Sequence, residues 1–157
     1  MRLIVLACAP VLFLSACSQP ETVPAPPPAP EPATILAGVD LTKPVRALGT
    51  EPFWGVELTG TEIIYSGVDR PVQRAPQPQA VIQGTTVTLA GTTAGGTAIS
   101  VMLAATECSD GMSDRTYPLS AIVKVGDETL TGCAASSAAI LSSGESGPVA
   151  EPAQPAV

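Results

Sequence analysis

The side chains able to do chemistry in this 157-residue chain gather in two short stretches. The first is Glu51-Pro52-Phe53-Trp54, where a carboxylate adjoins the only tryptophan. The second, Cys108-Ser109-Asp110-Gly111-Met112-Ser113-Asp114-Arg115-Thr116-Tyr117-Pro118, sets two carboxylates and a guanidinium around a glycine. Glycoside hydrolysis needs two facing carboxyl groups, which makes Asp110 and Asp114 the candidate pair for hydrolytic work. Such enzymes also need a long, aromatic-lined groove, which a small domain with few aromatics hardly supplies. The alternative for the loop is structural: Asp side chains bonding backbone N–H groups in Asx-type turns, with Arg115 paired to one of them. A calcium site is poorly matched, because the alternating oxygen ligands and terminal bidentate Glu of an EF-hand are missing. The chain has no histidine for general-base or metal duty, and it lacks a G-x-S-x-G elbow or a phosphate-binding glycine loop. The expectation is a protein without catalytic residues, metal or cofactor, in which Glu51, Phe53, Trp54, Asp110, Asp114, Arg115 and Tyr117 are candidates for ligand binding.

Leu14-Ser15-Ala16-Cys17 closes a short apolar run that follows Arg2. The run is too short to be a stable membrane span and has secretory-signal architecture. Its last four residues resemble the signal-peptidase II site of bacterial lipoproteins. That resemblance implies a mature chain beginning at Cys17, whose thiol becomes a diacylglyceryl thioether and whose new amine is acylated. At about 0.8 kcal/mol per buried methylene, several acyl chains anchor a protein where one does not. Ser18, in place of an aspartate after the cysteine, implies export to the outer membrane by the sorting rule of such lipoproteins. The competing reading is an ordinary secreted protein in which Cys17 is incidental. Either way the compartment is oxidising. Cys8 leaves with the signal, so Cys108 and Cys133 remain as an even pair and are expected to form one disulfide. A zinc or catalytic-thiol role for the pair would be short of ligands without histidine.

Fourteen acidic residues against seven basic give a net charge of −7. That balance argues against nucleic acid and against adhesion to anionic lipid headgroups, and it suits either solubility or a cationic partner. The hydrophobic fraction of 45% overstates the core, since it counts the signal and many alanines. With so few bulky groups, a one-domain chain depends on its disulfide for much of its stability.

The elements that must position these residues read as strands. Trp54, Val56 and Leu58 alternate with Phe53, Gly55 and Glu57; Thr59-Gly60-Thr61 turns the chain and Glu62 to Tyr65 returns. Thr86 to Leu89 alternates, as do Ile99, Val101, Leu103 and Ala105 after a Gly95-Gly96 turn. Leu119, Ala121, Val123 and Val125 form another set, with Gly126-Asp127 turning into Glu128 to Cys133. The prolines between Arg70 and Pro78 make the one long internal loop and exclude a central strand. The Ala-Ser run from Ala134 to Ser143 has room for a helical turn but lacks a decisive pattern. The fold expected is all-β, a small antiparallel barrel or sandwich with one disulfide, flanked by disordered Pro/Ala-rich segments. The divisions are a signal over 1–16, a lipidated cysteine and Pro/Ala-rich spacer over 17–42, the β domain over 43–143, and a disordered tail over 144–157. Because neighbours on a strand face opposite sides, Trp54 is expected inside with Val56 and Leu58, and Phe53 outside, either covered by a loop or exposed as an anchor.

Gly49-Thr50-Glu51-Pro52-Phe53-Trp54, the Cys108 to Pro118 stretch, and Gly132-Cys133-Ala134 together resemble an uncharacterised family of small bacterial envelope lipoproteins with G-x-E-P-F-W and C-x-D-G-M-S-D-x-x-Y-P motifs. The resemblance covers most of the segment from Val45 to Ala135. It implies a small β domain held at the envelope and assigns no mechanism. Similar small β lipoproteins include heat-shock META-type domains and membrane-bound inhibitors of c-type lysozyme, but the inhibitory motif of the latter has no match here. The expected function is a non-catalytic binding or structural role at the periplasmic side of the outer membrane, with an envelope protein or peptidoglycan as partner. The alternatives are a small peptidoglycan-acting hydrolase, and a stress or inhibitor protein that binds a basic enzyme such as lysozyme.

Overall fold

A computed structural model describes residues 33–151. The signal, Cys17 and most of the spacer, on which the lipoprotein expectation rests, lie outside the described residues.

In chain order the elements are β1 (Ile35–Leu36), β2 (Val39–Asp40), β3 (Val45–Thr50), β4 (Phe53–Leu58), β5 (Glu62–Gly67), β6 (Gln73–Pro76), β7 (Ile82–Gln83), β8 (Thr86–Thr92) and β9 (Ala98–Ala104). They continue with β10 (Cys108–Ser109), β11 (Asp114–Tyr117), β12 (Leu119–Val125), β13 (Glu128–Ser136), α1 (Ser137–Ser142) and β14 (Ser146–Pro148). Nine of the strands form one antiparallel sheet in the order β6-β5-β4-β3-β13-β12-β9-β8-β7, curled into a half-barrel. The all-β expectation holds, and the architecture is an incomplete barrel.

Alternation is what makes the sheet curl around a core. One face carries Val45 and Ala47, Trp54, Val56 and Leu58, Ile63 and Tyr65, Val87 and Leu89, Ile99, Val101 and Leu103, Leu119, Ala121 and Val123, and Leu130 and Ala134, all buried in one cluster. Cross-strand partners such as Ala47↔Val56, Val56↔Tyr65, Val101↔Val123 and Ala134↔Ala47 keep these residues on the same side. A one-residue slip anywhere would turn a strand's apolar set outward, so burial fixes the register. At the far side β6 comes up against β8, where Gly91 leaves no room for a side chain: a Cβ there would lie 2.3 Å from the carbonyl oxygen of Pro76. The prolines thus leave room for a strand, but an edge one, as their missing N–H groups require.

The outer face of β3 and β13 is covered by a second layer. This is a three-stranded sheet in the order β10-β11-β14, together with α1. Tyr117, Cys133, Ala135, Ala139 and Val149 form a second, smaller cluster there. It explains why Cys133, Ala134, Ala135 and Ser136 are all buried, with no alternation: the strand is packed on both faces, and small residues let the layers approach. Ser136 caps α1 by accepting a hydrogen bond from the N–H of Ala139.

Two boundaries need correction. The spacer was expected to run to Thr42, yet β1 and β2 pair as a hairpin and Leu36, Val39 and Leu41 join the main core. The tail was expected to be disordered from Gly144, yet β14 pairs in parallel with β11 and Val149 is buried. In both places a few apolar residues within a Pro/Ala/Gly-rich background suffice to dock the chain, because each adds to a layer that already exists.

Cys108 and Cys133 are bonded, with their Cα atoms 5.5 Å apart. The bond fastens β10 and its loop to the main sheet, making it the covalent link between the two layers. Closing a loop of this length restricts the unfolded chain by about 3 kcal/mol. Cys108→Ala is therefore expected to lower unfolding free energy by roughly that amount in denaturant titrations. Two thiols reactive in the folded, unreduced chain would contradict it.

Candidate functional site

The tight turn between β3 and β4 contains a cis Glu51–Pro52 peptide and presents Thr50, Glu51 and Phe53 at one end of the half-barrel. Thr50 pairs with Phe53 across the hairpin, and both belong to the outward face. Phe53 is 53% exposed and Trp54 5%, so the expected division of the two rings between the faces is observed. Among the described residues no loop covers Phe53.

The acidic loop meets this turn although the two lie 60 residues apart: the Thr50 hydroxyl donates to the Asp110 carbonyl at 3.0 Å. Asp110 organises the loop. Its Oδ1 accepts from the N–H groups of Met112 (3.0 Å) and Ser113 (2.8 Å), and its Oδ2 accepts from the Ser113 hydroxyl (2.7 Å) and the Tyr117 phenol (3.1 Å). This is the Asx-type turn expected from the sequence. Partial burial pushes the Asp110 pKa up, but the bonds from Ser113, Met112 and Tyr117 together outweigh it and hold the carboxyl at about 2. For Tyr117, burial is the largest influence. Together with Asp110 it outweighs Arg115 and raises the phenol, which remains a donor at neutral pH.

These bonds give a pH dependence. A carboxyl whose folded pKa lies below its unfolded value contributes stability in full above the unfolded value, near 3.8, and loses it as pH falls through about 2. Discounted for solvent screening, the contribution is about 1 to 2 kcal/mol. Asp110→Asn is expected to remove this acid-limb dependence in urea titrations between those two pH values. An unchanged slope would show that another group carries it.

Arg115 does not pair with either aspartate, contrary to expectation. Its Nε donates to the Gly144 carbonyl at 2.6 Å and one terminal nitrogen to the Ser143 carbonyl at 3.3 Å, with Glu145 3.8 Å away. The reason is geometric: Arg115 lies on β11 beside β14, and the carbonyls at the end of α1 lie within reach. Asp114 is exposed at the start of β11.

Two adjoining open cavities flank the Thr50–Asp110 contact. One, of ≈ 460 Å³, has Arg46, Phe53, Gly55, Val68 and Tyr117 in its lining. The other, of ≈ 510 Å³, has Glu51, Cys108, Met112 and Thr131. Gly49, Thr50 and Asp110 line both. The structure thus gathers Glu51, Phe53, Trp54, Asp110 and Tyr117 at one groove and leaves Asp114 and Arg115 out of its lining. Sequence reasoning missed Thr50, Met112, Arg46 and Val68. The first two lie within the quoted motifs, whereas Arg46 and Val68 carry no sequence signal and reach the groove only through the pairing of β3, β4 and β5. Another cavity, of ≈ 300 Å³, lies between the β1–β2 turn and α1 and shares only Tyr117 with the groove's candidate residues.

Among the described residues no three His, Cys, Asp or Glu side chains come together as a metal site. The one buried side-chain polar atom among them without a partner is Nε1 of Trp54. It lies beneath Gly49: a Cβ on that glycine would be 2.1 Å from it. Chemically the groove offers an exposed aromatic ring and two carboxylates, one of them fully engaged in holding its own loop. No protein family, curated protein or solved structure matches the chain.

Proposed function

We propose that the protein is a lipoprotein anchored to the outer membrane and facing the periplasm, with a non-catalytic binding role in the cell envelope. The observation that carries the reading is the half-exposed Phe53 at the rim of a groove where the separate motif segments meet. An aromatic ring left uncovered beside a concave surface lowers the free energy of binding more than that of folding. The engagement of Asp110 argues in the same direction. A carboxylate saturated by four hydrogen bonds and ionised down to about pH 2 is poorly suited to proton transfer near neutrality, since a general acid needs a pKa near the working pH.

Photocrosslinking in intact cells tests this. A photoreactive side chain at Phe53 is expected to give a discrete envelope adduct, and one at Ile122, exposed on β12, is not. The same preparation should carry an acylated Cys17 by mass spectrometry, and it should give no clearing on a peptidoglycan zymogram. No adduct at Phe53, or clearing that Asp110→Asn or Asp114→Asn abolishes, would replace this reading with the structural or hydrolytic one.

A further inference from the structure

The cavity of ≈ 460 Å³ opens on the outward face of β3 and β4, where the cross-strand pairs are Arg46↔Glu57, Leu48↔Gly55 and Thr50↔Phe53. Its cation is Arg46, half exposed. Among the described residues Arg70, Arg74 and Arg115 each donate hydrogen bonds to a carboxylate or a carbonyl, whereas the Arg46 guanidinium makes none. Its Nη1 stands 3.8 Å from Oε2 of Glu57, beyond hydrogen-bond length. Glu57 is itself held through its other oxygen, which accepts from the Ser137 hydroxyl.

The second terminal nitrogen of Arg46 is aimed along the cavity floor by a glycine. A Cβ on Gly55 would lie 3.4 Å from Nη2 of Arg46 and 3.5 Å from the Ser66 hydroxyl, both ends of flexible side chains, so neither backbone nor close packing demands glycine inside β4. A glycine in a strand interior weakens the strand and marks a close approach. Here its missing side chain lets the guanidinium lie across β4 toward the cavity. Phe53 is two residues along the same face, about 7 Å away. A half-exposed ring and a cation with unfilled donors thus stand at that spacing in one cavity. Asp110, the carboxylate in the lining, sits at the ring end, because it is tied to Thr50, the partner of Phe53. Thr50 is four residues from Arg46 along β3, about 13 Å.

We propose that this cavity binds an acidic ligand of small-molecule size, with a carboxylate on Arg46 and a ring or aliphatic chain about 7 Å away against Phe53 and Val68. The proposal rests on the binding reading above and names the chemistry of its ligand. A guanidinium takes a carboxylate through paired N–H donors. Asp110 repels the same carboxylate from the ring end, so both charges favour one orientation. Two sources carry this chemistry: a free amphiphilic acid, and a peptidoglycan fragment with its sugar ring on Phe53 and a stem-peptide carboxylate on Arg46.

The test is an NMR titration of the isotope-labelled full chain in non-ionic detergent, with phenylbutyrate, its neutral counterpart phenylbutyramide and a soluble peptidoglycan fragment as probes. Phenylbutyrate is expected to bind about fivefold more tightly than the amide and to weaken as salt rises. Arg46→Gln should remove that advantage and leave the amide's affinity unchanged, and Phe53→Ala should weaken both about tenfold. Gly55→Val, which fills the space beneath the guanidinium, should also abolish the advantage while the chain still unfolds cooperatively. A fragment that binds more tightly than phenylbutyrate and loses that binding in Arg46→Gln assigns the carboxylate to peptidoglycan, whereas phenylbutyrate binding without the fragment assigns it to a free acid. Equal binding of acid and amide, or an advantage that survives Arg46→Gln, overturns the proposal, and so does failure of both phenylbutyrate and the fragment to bind. Crosslinking from position 53 judges the binding reading independently: an adduct there without carboxylate selectivity would sink the ligand class alone.

Discussion

Gly132→Ala is expected to destabilise the fold by about 4 kcal/mol or more, well beyond the usual cost of adding one methyl to a core. A Cβ at this position would lie 2.0 Å from the carbonyl oxygen of Leu48 and 2.8 Å from the Trp54 ring. Neither neighbour yields easily. The Leu48 carbonyl is backbone in β3, the strand that pairs with β13 from Cys133 onward, so making room means parting the two strands at the centre of the sheet. The indole is held in turn by Gly49, where an added Cβ would overlap its Nε1. Moreover, Gly132 precedes the half-cystine that fastens the outer layer, so a shift there is transmitted to β10 and the Asp110 loop. Thermal and urea unfolding of the variant would measure the cost. Gly144→Ala is the control, since a Cβ there meets nothing within 4 Å. A loss below about 1 kcal/mol would mean that β3 and β13 separate more freely than their ladder suggests.

Much of this was legible from period-two alternation, because a sheet with one buried face writes its register into the sequence. Val56, Leu58, Ile99, Val101, Leu103, Ala121 and Val123 were assignable to the core for that reason, and Trp54 followed from parity with Val56. The segments that dock onto an existing layer were not legible. Ile35-Leu36 and Val39-Asp40 flank Ala37-Gly38, both at positive φ, which is a two-residue hairpin signal hidden in a proline-rich background. Val149 lies between Pro148 and Ala150 in a Pro/Ala/Gly-rich tail, and the parallel pairing of Ser146–Pro148 with β11 leaves no local mark. The site was half legible. Residue types identified Phe53 and Asp110, but the bond from Thr50 to the Asp110 carbonyl depends on how two distant turns are stacked, which no local pattern encodes.

Trp54→Ala is expected to cost about 3 to 5 kcal/mol, while Phe53→Ala, on the other face and half exposed, should cost less than about 1. The indole fills the end of the half-barrel over Gly49 and Gly132, two residues with no side chains to collapse into the space it would leave. A cavity that cannot relax keeps its full penalty. Trp54→Phe separates packing from polarity. It removes part of the ring's volume but also deletes an N–H that has no acceptor, and leaving a buried donor unsatisfied costs about 1 to 3 kcal/mol. The two effects oppose each other, so Trp54→Phe should fall well short of Trp54→Ala, at about 1 kcal/mol or near neutral. Emission from the wild-type tryptophan should be blue-shifted and poorly quenched by acrylamide. Red-shifted, freely quenched emission from the folded chain would place the ring in solvent. Equal losses from the phenylalanine and alanine variants would show instead that Nε1 has a partner in solution.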